Sequence, residues 1–327
     1  MTPPAEIRQR GSVLVVGGTH GNERNGPWFL ESWGRGACEL ACHGLAVRPV
    51  IGNPAALAAN RRYLDRDLNR SFSPAVLAAV DADRETRRAR ELLERYGPAG
   101  LEPALVVIDL HSTTAAMGNS LVIYGRRPAD LALAAALQHR LGLPVYLHEG
   151  DPDQTGYLCE RWPCGLVIEV GPVGQGLLDL TIVSQTRLAL EESLAVLAAA
   201  ARGALRLPTE LVVHRHRRTL DVPRHGDGQP AAVIHPRRRG RDWWPIRHGD
   251  PLFQLADGTA LGHAIDSGDP GADAELWPVF INEAAYEEKG IALALTSREA
   301  LPVAAAWTDA LTGLARCLLE DQRGAPL

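Results

Sequence analysis

The sequence lacks an excess of basic residues. Its 34 lysine and arginine residues are outnumbered by 39 aspartate and glutamate residues, which gives a net charge of −5. This balance argues against nucleic acid or an anionic membrane surface as a partner. Two local basic runs, HRHRR (214–218) and PRRRGR (236–241), contain no aromatic residue that could stack on bases, so they are interpreted as a solvated strand face and a loop.

Signals for export and for a transmembrane span are also missing. The N-terminal stretch MTPPAEIRQRGS is polar and contains no apolar signal-peptide core. The most apolar long stretch, LALEESLAVLAAAARGAL, carries charges and predicts a packed helix. Five cysteines are an odd number without regular spacing, which indicates reduced thiols. These absences predict a soluble cytoplasmic protein.

Short apolar runs alternate with helical stretches over the first two-thirds of the chain. Several of these runs are continuous and β-branched, as expected for strands that are covered on both faces. Strands are predicted at 12–18, 45–53, 104–112, 120–125, 144–148 and 165–172. Helices are predicted at 74–96, 128–141 and 178–203. The alternation predicts an α/β three-layer sandwich with a mostly parallel, mixed sheet.

The composition changes after Leu207. Short strand-like stretches separated by Gly, Pro and Asp follow, among them ELVVHRHRRTLDV, PAAVIHP, DPLFQLADGTALGHAI and LWPVFINEAAY. An Asp-Gly pair at 257–258 predicts a hairpin. We therefore predict two domains: an α/β domain at residues 1–207 and a smaller β-rich domain at residues 208–327, with a terminal helix near 300–320.

Two histidines and a carboxylate follow or end predicted strands. His20 and Glu23 come directly after the strand at 12–18, and His111 lies at the end of the strand at 104–112. The carboxyl ends of parallel strands meet at one edge of the sheet, where open α/β folds bind their ligands. Two histidines and one carboxylate with an open fourth position match catalytic zinc. The sequence therefore predicts one Zn²⁺ per chain on these residues.

Glu169 lies in the run VIEV, near the end of the strand at 165–172. A carboxylate in a buried strand is costly unless it is paired or close to a metal. Glu169 would be free to accept a proton from a water at the open position of the zinc. Asp109 is expected to support the ligands as a neighbour, with its side chain on the other face of the strand from His111.

The stretch NRRYLDRDLNRSF (60–72) crowds arginines and aspartates around one tyrosine and has neither helical nor strand periodicity. Taken alone, it fits a charged surface loop. Facing a zinc site, its arginines and an asparagine would be donors that hold a carboxylate and stabilise an oxyanion.

Five motifs in this order carry a family resemblance: GGTHGNE, RYLDRDLNR, DLHSTTAAMG, IEVGPVGQG and VFINEAAYEEKG. Together they span residues 17–290. The sequence resembles the aspartoacylase and aminoacylase-3 branch of the zinc-carboxypeptidase-like amidohydrolases, which belongs to the succinylglutamate desuccinylase/aspartoacylase family. The resemblance implies a carboxypeptidase-like catalytic α/β domain and a C-terminal β domain that caps the active-site channel.

The resemblance also implies roles at the matching positions. The zinc ligands and the general base are the residues named above. Arg62 would polarise the scissile amide carbonyl, with Asp67 orienting Arg62 or Arg70. Asn69 and Arg70 would hold the α-carboxylate of the substrate, and Tyr286 would reach into the pocket as a further carboxylate donor.

The sequence departs from the family pattern at Cys159. Mammalian aspartoacylases place there, ten residues before the base, an arginine that holds the side-chain carboxylate of the aspartyl group. Arg161 or Lys289 would have to replace it. We therefore expect a substrate to need its α-carboxylate more than an acidic side chain, and we expect Cys159→Arg to shift preference toward an aspartyl substrate.

These features predict a zinc-dependent amidohydrolase that cleaves N-acyl-L-amino acids, N-acetyl-L-aspartate or a related compound, to a carboxylate and the free amino acid. The expected partner is this small molecule, with no nucleic acid and no membrane, and a homo-oligomer is left open. One alternative is a metallocarboxypeptidase acting on small peptides with the same zinc and base. The other is a non-enzymatic zinc-binding protein, against which the complete ligand set and Glu169 argue.

Overall fold

A nine-stranded mixed sheet runs through the structure, a computed structural model that describes residues 11–151, 154–262 and 275–319. The strands and helices, in chain order, are β1 (Ser12–Gly17), α1 (Asn25–Gly34), β2 (Val47–Ile51), α2 (Pro54–Ala58), α3 (Pro74–Leu77), α4 (Arg84–Tyr96), β3 (Ala104–Ser112), β4 (Gly118–Tyr124), α5 (Pro128–Leu141), β5 (Val145–His148), β6 (Cys164–Gly171), α6 (Leu180–Ala201), β7 (Glu210–Asp221), β8 (Ala232–Ile234), β9 (Pro251–Leu255), β10 (Ala260–Gly262), β11 (Trp277–Val279), β12 (Ile291–Pro302) and α7 (Ala305–Ala315). Short 3-10 helices lie at Leu68–Arg70, Leu158–Arg161 and Ala284–Lys289.

The strand order of the main sheet is β11-β12-β7-β5-β4-β6-β3-β1-β2. The pairs β1–β2, β1–β3, β3–β6, β4–β5 and β5–β7 are parallel. The pairs β4–β6, β7–β12 and β11–β12 are antiparallel. The prediction of a mostly parallel, mixed sheet is therefore confirmed.

Helices cover both faces of this sheet. Every residue of β1 is buried, and its side chains alternate between two cores. Val13 and Val15 contribute to the core that includes α1, α5, α6 and α7. Leu14 and Val16 contribute to the core that includes Leu92 of α4. Because helices lie on both sides of the strands, the predicted three-layer sandwich is confirmed.

Capping residues decide where the helices begin and end. Helix α5 covers the predicted range 128–141, starts with proline and ends at Gly142, which adopts the left-handed conformation at φ 69°.

Among the helices in the described part of the chain, none combines the length and the apolar composition that a membrane span requires.

The prediction of one continuous helix over 74–96 is wrong. Ser73 caps the short helix α3, and Asp83 caps α4 by accepting a hydrogen bond from the backbone N–H of Thr86 at 2.7 Å. Asp83 therefore divides the segment, since a side chain of this type stabilises a helix start more than a helix interior.

The second half of the chain contributes to two sheets. Strands β7, β12 and β11 extend the main sheet, whereas β8, β9 and β10 form a separate antiparallel sheet with its own small core. The predicted Asp-Gly turn at 257–258 connects β9 to β10. The last residues of the predicted stretch DPLFQLADGTALGHAI, 263–265, lie outside the described residues. Strand β12 is missing from the predicted strands, and because it continues to Pro302 the terminal helix starts only at Ala305.

The boundary predicted between residues 207 and 208 falls in the connection from α6 to β7. At this junction β5 is too short to pair with all of β7, and its partners on β7 are His214 and Arg215. The side chain of Gln138 in α5 continues the pairing. Its Nε2 donates to the carbonyl oxygen of Val212 and its Oε1 accepts from the N–H of Val212, both at 2.8 Å. The side-chain amide of Gln138 thus supplies hydrogen-bond partners for backbone groups of β7 that β5 does not reach.

This junction leads to a prediction on stability. Gln138→Leu keeps the approximate size of the side chain but removes both hydrogen bonds to Val212, so we expect the free energy of unfolding to fall by about 2–3 kcal/mol. Urea unfolding followed by circular dichroism would measure it. His139→Leu, at the exposed neighbouring position of the same helix, is the matched control and should change stability by less than about 0.5 kcal/mol. Equal effects of the two substitutions would contradict the prediction.

Candidate active site

Three side chains of the types that bind metal ions meet where the neighbouring parallel strands β1 and β3 end. Glu23 lies between two histidines: its Oε1 is 2.6 Å from His20 Nδ1, and its Oε2 is 3.0 Å from His111 Nδ1. All three residues are buried, and one ligand atom of each lies within 4.8 Å of the others. We call these three residues the His–Glu–His group. The structure therefore brings the three predicted zinc ligands together.

Gly21 allows the turn after β1 to pack against α2. A Cβ atom on Gly21 would lie 2.0 Å from the carbonyl carbon of Ala56, so any side chain there would displace the turn or the helix. The N–H of Gly21 donates a hydrogen bond to the carbonyl oxygen of Arg62 at 3.1 Å. Gly21 of the motif GGTHGNE is thus explained by the close approach of two backbone segments.

Further carboxylates contact the outer nitrogens of both imidazoles. His111 Nε2 lies 2.7 Å from Asp109 Oδ2, and the hydroxyl of Thr19 donates to the other oxygen of Asp109 at 2.7 Å. His20 Nε2 lies 3.0 Å from Asp67 Oδ1. The expectation that Asp109 and His111 lie on opposite faces of the strand is wrong, because residues two apart in a strand share a face. Their contact agrees with a supporting role for Asp109.

The charges in the His–Glu–His group suit a divalent cation. Burial would raise the pKa of Glu23, but the neighbouring His20 and His111 outweigh burial and hold the pKa well below its usual range. Burial would lower the pKa of His111, but Asp109 and Glu23 raise it well above its usual range. Glu23 therefore attracts positive charge, and two imidazoles with one carboxylate are a donor set typical of catalytic zinc.

Glu169 lies directly beside the His–Glu–His group. It is the register partner of His111 in the parallel pair β3–β6, and it lines the same pocket. Burial raises the pKa of Glu169 well above its usual range, Glu23 and Glu283 raise it further, and His111 opposes them. A buried carboxylate with a raised pKa at a pocket wall is typical of a residue that transfers protons.

Residues 60–72 form a loop that we call the arginine loop, and Glu85 of α4 fixes its backbone. The buried carboxylate of Glu85 accepts hydrogen bonds from the N–H groups of Leu64, Asp65 and Arg66 at 2.8, 3.1 and 3.2 Å. Glu85 is missing from the predicted site, because one more glutamate in the charged helix RETRRARELLERY gives no sequence signal of burial.

Arg62 of the arginine loop points toward the His–Glu–His group. Its Nη2 donates to Asp67 Oδ2 at 3.1 Å, and its Nη1 lies 3.5 Å from Glu23 Oε1. Asp67 therefore contacts both Arg62 and His20, and it orients a cation and an imidazole at once. This is the arrangement expected of a donor held in position for a developing negative charge.

Arg70 and Asn69 also line the pocket. The guanidinium of Arg70 lies 4.1 Å from the centre of the Tyr157 ring, and its Nη2 donates to Gln154 Oε1 at 3.1 Å. Within the described residues its buried Nε has no hydrogen-bond partner. Asn69 Oδ1 accepts a hydrogen bond from the N–H of Leu158 at 2.8 Å, which fixes the amide. Arg70 thus retains a donor for an anion.

Glu283 joins the segment that carries Tyr286 to the loop after β3. Its Oε2 accepts hydrogen bonds from the N–H groups of Thr114 and Ala115 at 2.8 and 3.1 Å and from the hydroxyl of Thr113. Its Oε1 caps the 3-10 helix in which Tyr286 lines the pocket. Glu283 is a functional candidate that the predicted site lacks, although the motif VFINEAAYEEKG contains it.

Apolar and aromatic side chains make up much of the remaining pocket wall, namely Val122, Tyr124, Tyr146, His148, Tyr157, Val167 and Phe280. The arginines among the lining residues are Arg62 and Arg70. Arg161 and Lys289 are exposed and do not line the pocket. The replacement of the family arginine by either residue therefore stays a prediction.

Cys159 is fully buried and does not line the pocket. Burial raises the pKa of its thiol well above the usual range. The expectation that Cys159→Arg shifts substrate preference stays a prediction, and in this geometry the substitution would first have to accommodate a guanidinium inside the protein.

A carboxypeptidase-like α/β sandwich with a His–Glu–His group and a buried glutamate in one pocket defines a class of hydrolases. Residues 9–197 match the succinylglutamate desuccinylase/aspartoacylase catalytic domain, and residues 209–298 match the AstE/AspA barrel-sandwich hybrid domain. The chain therefore belongs to the succinylglutamate desuccinylase/aspartoacylase family, which confirms the resemblance seen in the sequence.

Similar proteins agree with this assignment. The chain is 55% identical over 311 residues to a protein named probable aspartoacylase from Prochlorococcus marinus (strain MIT 9313), with 93% of this chain and 98% of that relative covered. It is 53% identical over 305 residues to one of the same name from Parasynechococcus marenigrum (strain WH8102), with 93% and 99% covered. The crystal structure of murine aminoacylase 3 matches with a TM-score of 0.78 at 33% identity, covering 90% of this chain and 97% of that chain.

The contacts of Glu85 lead to a prediction on the arginine loop. Glu85→Ala leaves the N–H groups of Leu64, Asp65 and Arg66 without their carboxylate, so we expect the free energy of unfolding to fall by about 2–3 kcal/mol. We also expect faster hydrogen exchange of these three amides. Glu91→Ala, on the same helix but with 61% of the side chain exposed, is the control and should change stability by less than about 0.5 kcal/mol. Unchanged exchange in Glu85→Ala would contradict the proposed anchoring.

Proposed function

We propose that the protein is a zinc-dependent amidohydrolase that converts an N-acyl-L-amino acid to a carboxylate and the free L-amino acid. The observation that carries the proposal is Glu169, a buried carboxylate that is the register partner of a member of the His–Glu–His group. The names of the relatives, probable aspartoacylase and aminoacylase 3, support N-acyl amino acids as the substrate class.

The His–Glu–His group would hold one Zn²⁺ ion per chain. When bound, the ion would polarise the acyl carbonyl and lower the pKa of a water molecule. Asp109 and Asp67 would keep the two imidazoles oriented through their outer nitrogens. Since such partners raise the basicity of the ligands, they would strengthen the binding of the ion.

Glu169 carries the proton of the reaction. It accepts a proton as the oxygen of water forms a bond to the acyl carbon, and it delivers that proton to the leaving nitrogen as the C–N bond breaks. The products are one carboxylate and one amine. Burial, which raises the pKa of Glu169, brings its proton affinity closer to that needed for transfer in both directions near neutral pH.

Arg62 stabilises the negative charge that develops on the carbonyl oxygen. Asp67 holds its guanidinium in place beside the His–Glu–His group before substrate binds. Preorganised donors of this kind are effective because they need no reorientation during the reaction, and the loss of one costs roughly 10²–10³ in rate.

Arg70, Asn69 and Tyr286 bind the α-carboxylate of the amino-acid part. Arg70 has a buried Nε without a partner in the described residues, and stacking on Tyr157 limits the positions of its guanidinium. A charged donor that is already held in one orientation loses little entropy on binding an anion. A free α-carboxylate is therefore the group by which the pocket recognises its substrate.

A metallocarboxypeptidase would use the same zinc and the same base. Its substrate would have to extend past the acyl group, but the segment with Phe280 and Tyr286 lines the same pocket and limits this space. Turnover of an N-acetyl amino acid compared with a tripeptide ending in the same residue separates the two activities, and faster hydrolysis of the tripeptide would favour the peptidase.

The role of Glu169 leads to a prediction on catalysis. Glu169→Gln should bind zinc as the wild type does but lose a factor of about 10²–10⁴ in kcat, because an amide cannot accept the proton of water at neutral pH. Elemental analysis and steady-state kinetics on N-acetyl amino acids would measure both properties.

Two controls accompany this variant. Glu287→Gln makes the same chemical change at an exposed position beside Tyr286 and should keep wild-type activity, whereas His111→Ala should lose the zinc of the His–Glu–His group. Activity of Glu169→Gln within about tenfold of the wild type would assign the base to another residue, since general base catalysis usually contributes more.

The pocket wall leads to a prediction on specificity. Arg62 and Arg70 are the arginines that line the pocket, and the proposal assigns them to the carbonyl and the α-carboxylate. N-acetyl-L-asparagine should therefore be hydrolysed with a kcat/KM within about tenfold of that for N-acetyl-L-aspartate, a difference of about 1.4 kcal/mol or less. Blocking the α-carboxylate of N-acetyl-L-aspartate as an amide should cost about a hundredfold or more, as expected for two lost charge-assisted hydrogen bonds.

A preference of more than about a hundredfold for N-acetyl-L-aspartate over its asparagine analogue would contradict this prediction, because it would require a cationic partner for the side-chain carboxylate.

A further inference from the structure

A second cluster of metal-binding side chains lies apart from the His–Glu–His group. It consists of His148, Asp151 and His216, and one ligand atom of each lies within 4.8 Å of the others. Both histidines are buried, and Asp151 is partly buried. We call these residues the His–Asp–His cluster. The proposed hydrolysis gives it no role, although His148 lines the substrate pocket.

The strand pairing brings the two histidines together. His148 ends β5 and His216 lies in β7, and these neighbouring strands are parallel. The pairs of Tyr146 with His214 and of Leu147 with Arg215 place His148 and His216 at the next register position. Their rings are 5.0 Å apart at an interplanar angle of 27°. The backbone of the main sheet therefore positions two of the three side chains.

Tyrosine hydroxyls contact one nitrogen of each imidazole. Tyr146 Oη lies 2.8 Å from His216 Nδ1, and Tyr157 Oη lies 3.3 Å from His148 Nε2. Histidines that bind metals usually donate their other N–H to a hydrogen-bond acceptor, which fixes the tautomer and leaves the second nitrogen for the ion. In His216 the second nitrogen, Nε2, faces Asp151, so Tyr146 supplies this support.

The distances within the cluster leave room for an ion. His216 Nε2 lies 3.6 Å from Asp151 Oδ2, longer than a normal hydrogen bond. Tetrahedral zinc with bonds of about 2.0–2.1 Å separates neighbouring ligand atoms by roughly 3.3 Å. The spacing of these two ligand atoms is therefore close to the spacing that a bound ion would impose.

We propose that the His–Asp–His cluster binds a second divalent transition-metal ion of the Zn²⁺ or Co²⁺ type. This site binds more weakly than the His–Glu–His group, because its carboxylate is only partly buried and already accepts a hydrogen bond from Gln154. The donor set of two imidazoles and one carboxylate is the same in both sites, and it prefers these ions to Mg²⁺ or Ca²⁺.

Gln154 connects the second site to the substrate pocket. Its Nε2 donates to Asp151 Oδ2 at 3.2 Å, and its Oε1 accepts from Arg70 Nη2 at 3.1 Å. An ion on Asp151 competes with Gln154 for this oxygen and so loosens the support of Arg70. Excess Zn²⁺ should therefore raise KM for substrates with an α-carboxylate and leave kcat nearly unchanged. This expected effect on KM rests on the proposed function, whereas the metal site itself does not.

Zinc stoichiometry tests the site directly. Metal-free protein is titrated with Zn²⁺ by calorimetry, and bound zinc is measured by elemental analysis after equilibrium dialysis. The wild type should bind two ions per chain in two steps. His216→Gln and His148→Gln should each bind one ion tightly, and His111→Ala should keep the weaker one. His214→Gln, a buried histidine of the same strand outside the cluster, is the matched control and should bind two.

A conservative variant separates binding from folding. Tyr146→Phe keeps the ring but removes the hydroxyl that contacts His216, so the second ion should bind about 10- to 100-fold more weakly while the first is unaffected. Thermal unfolding of all variants shows whether each is folded. A single ion in the folded wild type at rising free Zn²⁺ would overturn the proposal, as would two ions in folded His216→Gln.

Kinetics provide the second part of the test. KM should rise with free Zn²⁺ in the wild type and in His214→Gln but stay constant in His216→Gln. If the protein fails to hydrolyse N-acyl amino acids, the stoichiometry still decides the metal site. Two ions without any effect on KM would overturn the connection through Gln154.

Discussion

The pairing of the buried carboxylate of Glu23 with two imidazoles is the interaction on which the site depends. Each carboxylate oxygen faces one nitrogen, at 2.6 Å from His20 and 3.0 Å from His111. An unpaired carboxylate at this depth would cost several kcal/mol, so the ends of β1 and β3 must stay in one register. Gly21 makes this possible, because only a residue without a Cβ lets the turn pack against α2.

From this centre, alternating charges extend outward into the pocket. Asp67 contacts His20 and Arg62 together, and Asp109 contacts His111. Each negative group is thus used to position a positive group, while the Nε of Arg70 keeps no partner among the described residues. The pocket is therefore prepared for an anion before any ligand binds. For this reason our proposal assigns substrate recognition to the α-carboxylate and not to the acyl group.

The parts that sequence could predict are those with strong periodicity or short-range spacing. The parallel strands and α5 follow from continuous apolar runs and from capping residues, and His20 with Glu23 follows from local spacing. The division of 74–96 into two helices depends on Asp83 competing as a cap. Glu85 and Glu283 act through backbone groups far away in the chain, and no local pattern distinguishes them from exposed glutamates. The pairing of His148 with His216 could not be predicted, because it depends on β5 and β7 being neighbours in the sheet.

The two family domains share one sheet, and this limits how the pocket can open. A hinge between them is the usual expectation for a chain with two domains. Here β7 and β12 belong to the main sheet, and Glu283 connects the segment of Tyr286 to the loop after β3. Opening at this place would break several hydrogen bonds to one buried carboxylate, which is costly. The exposed hydrogen bond from Tyr63 to Glu288 adds a second link, between the arginine loop and the 3-10 helix of Tyr286.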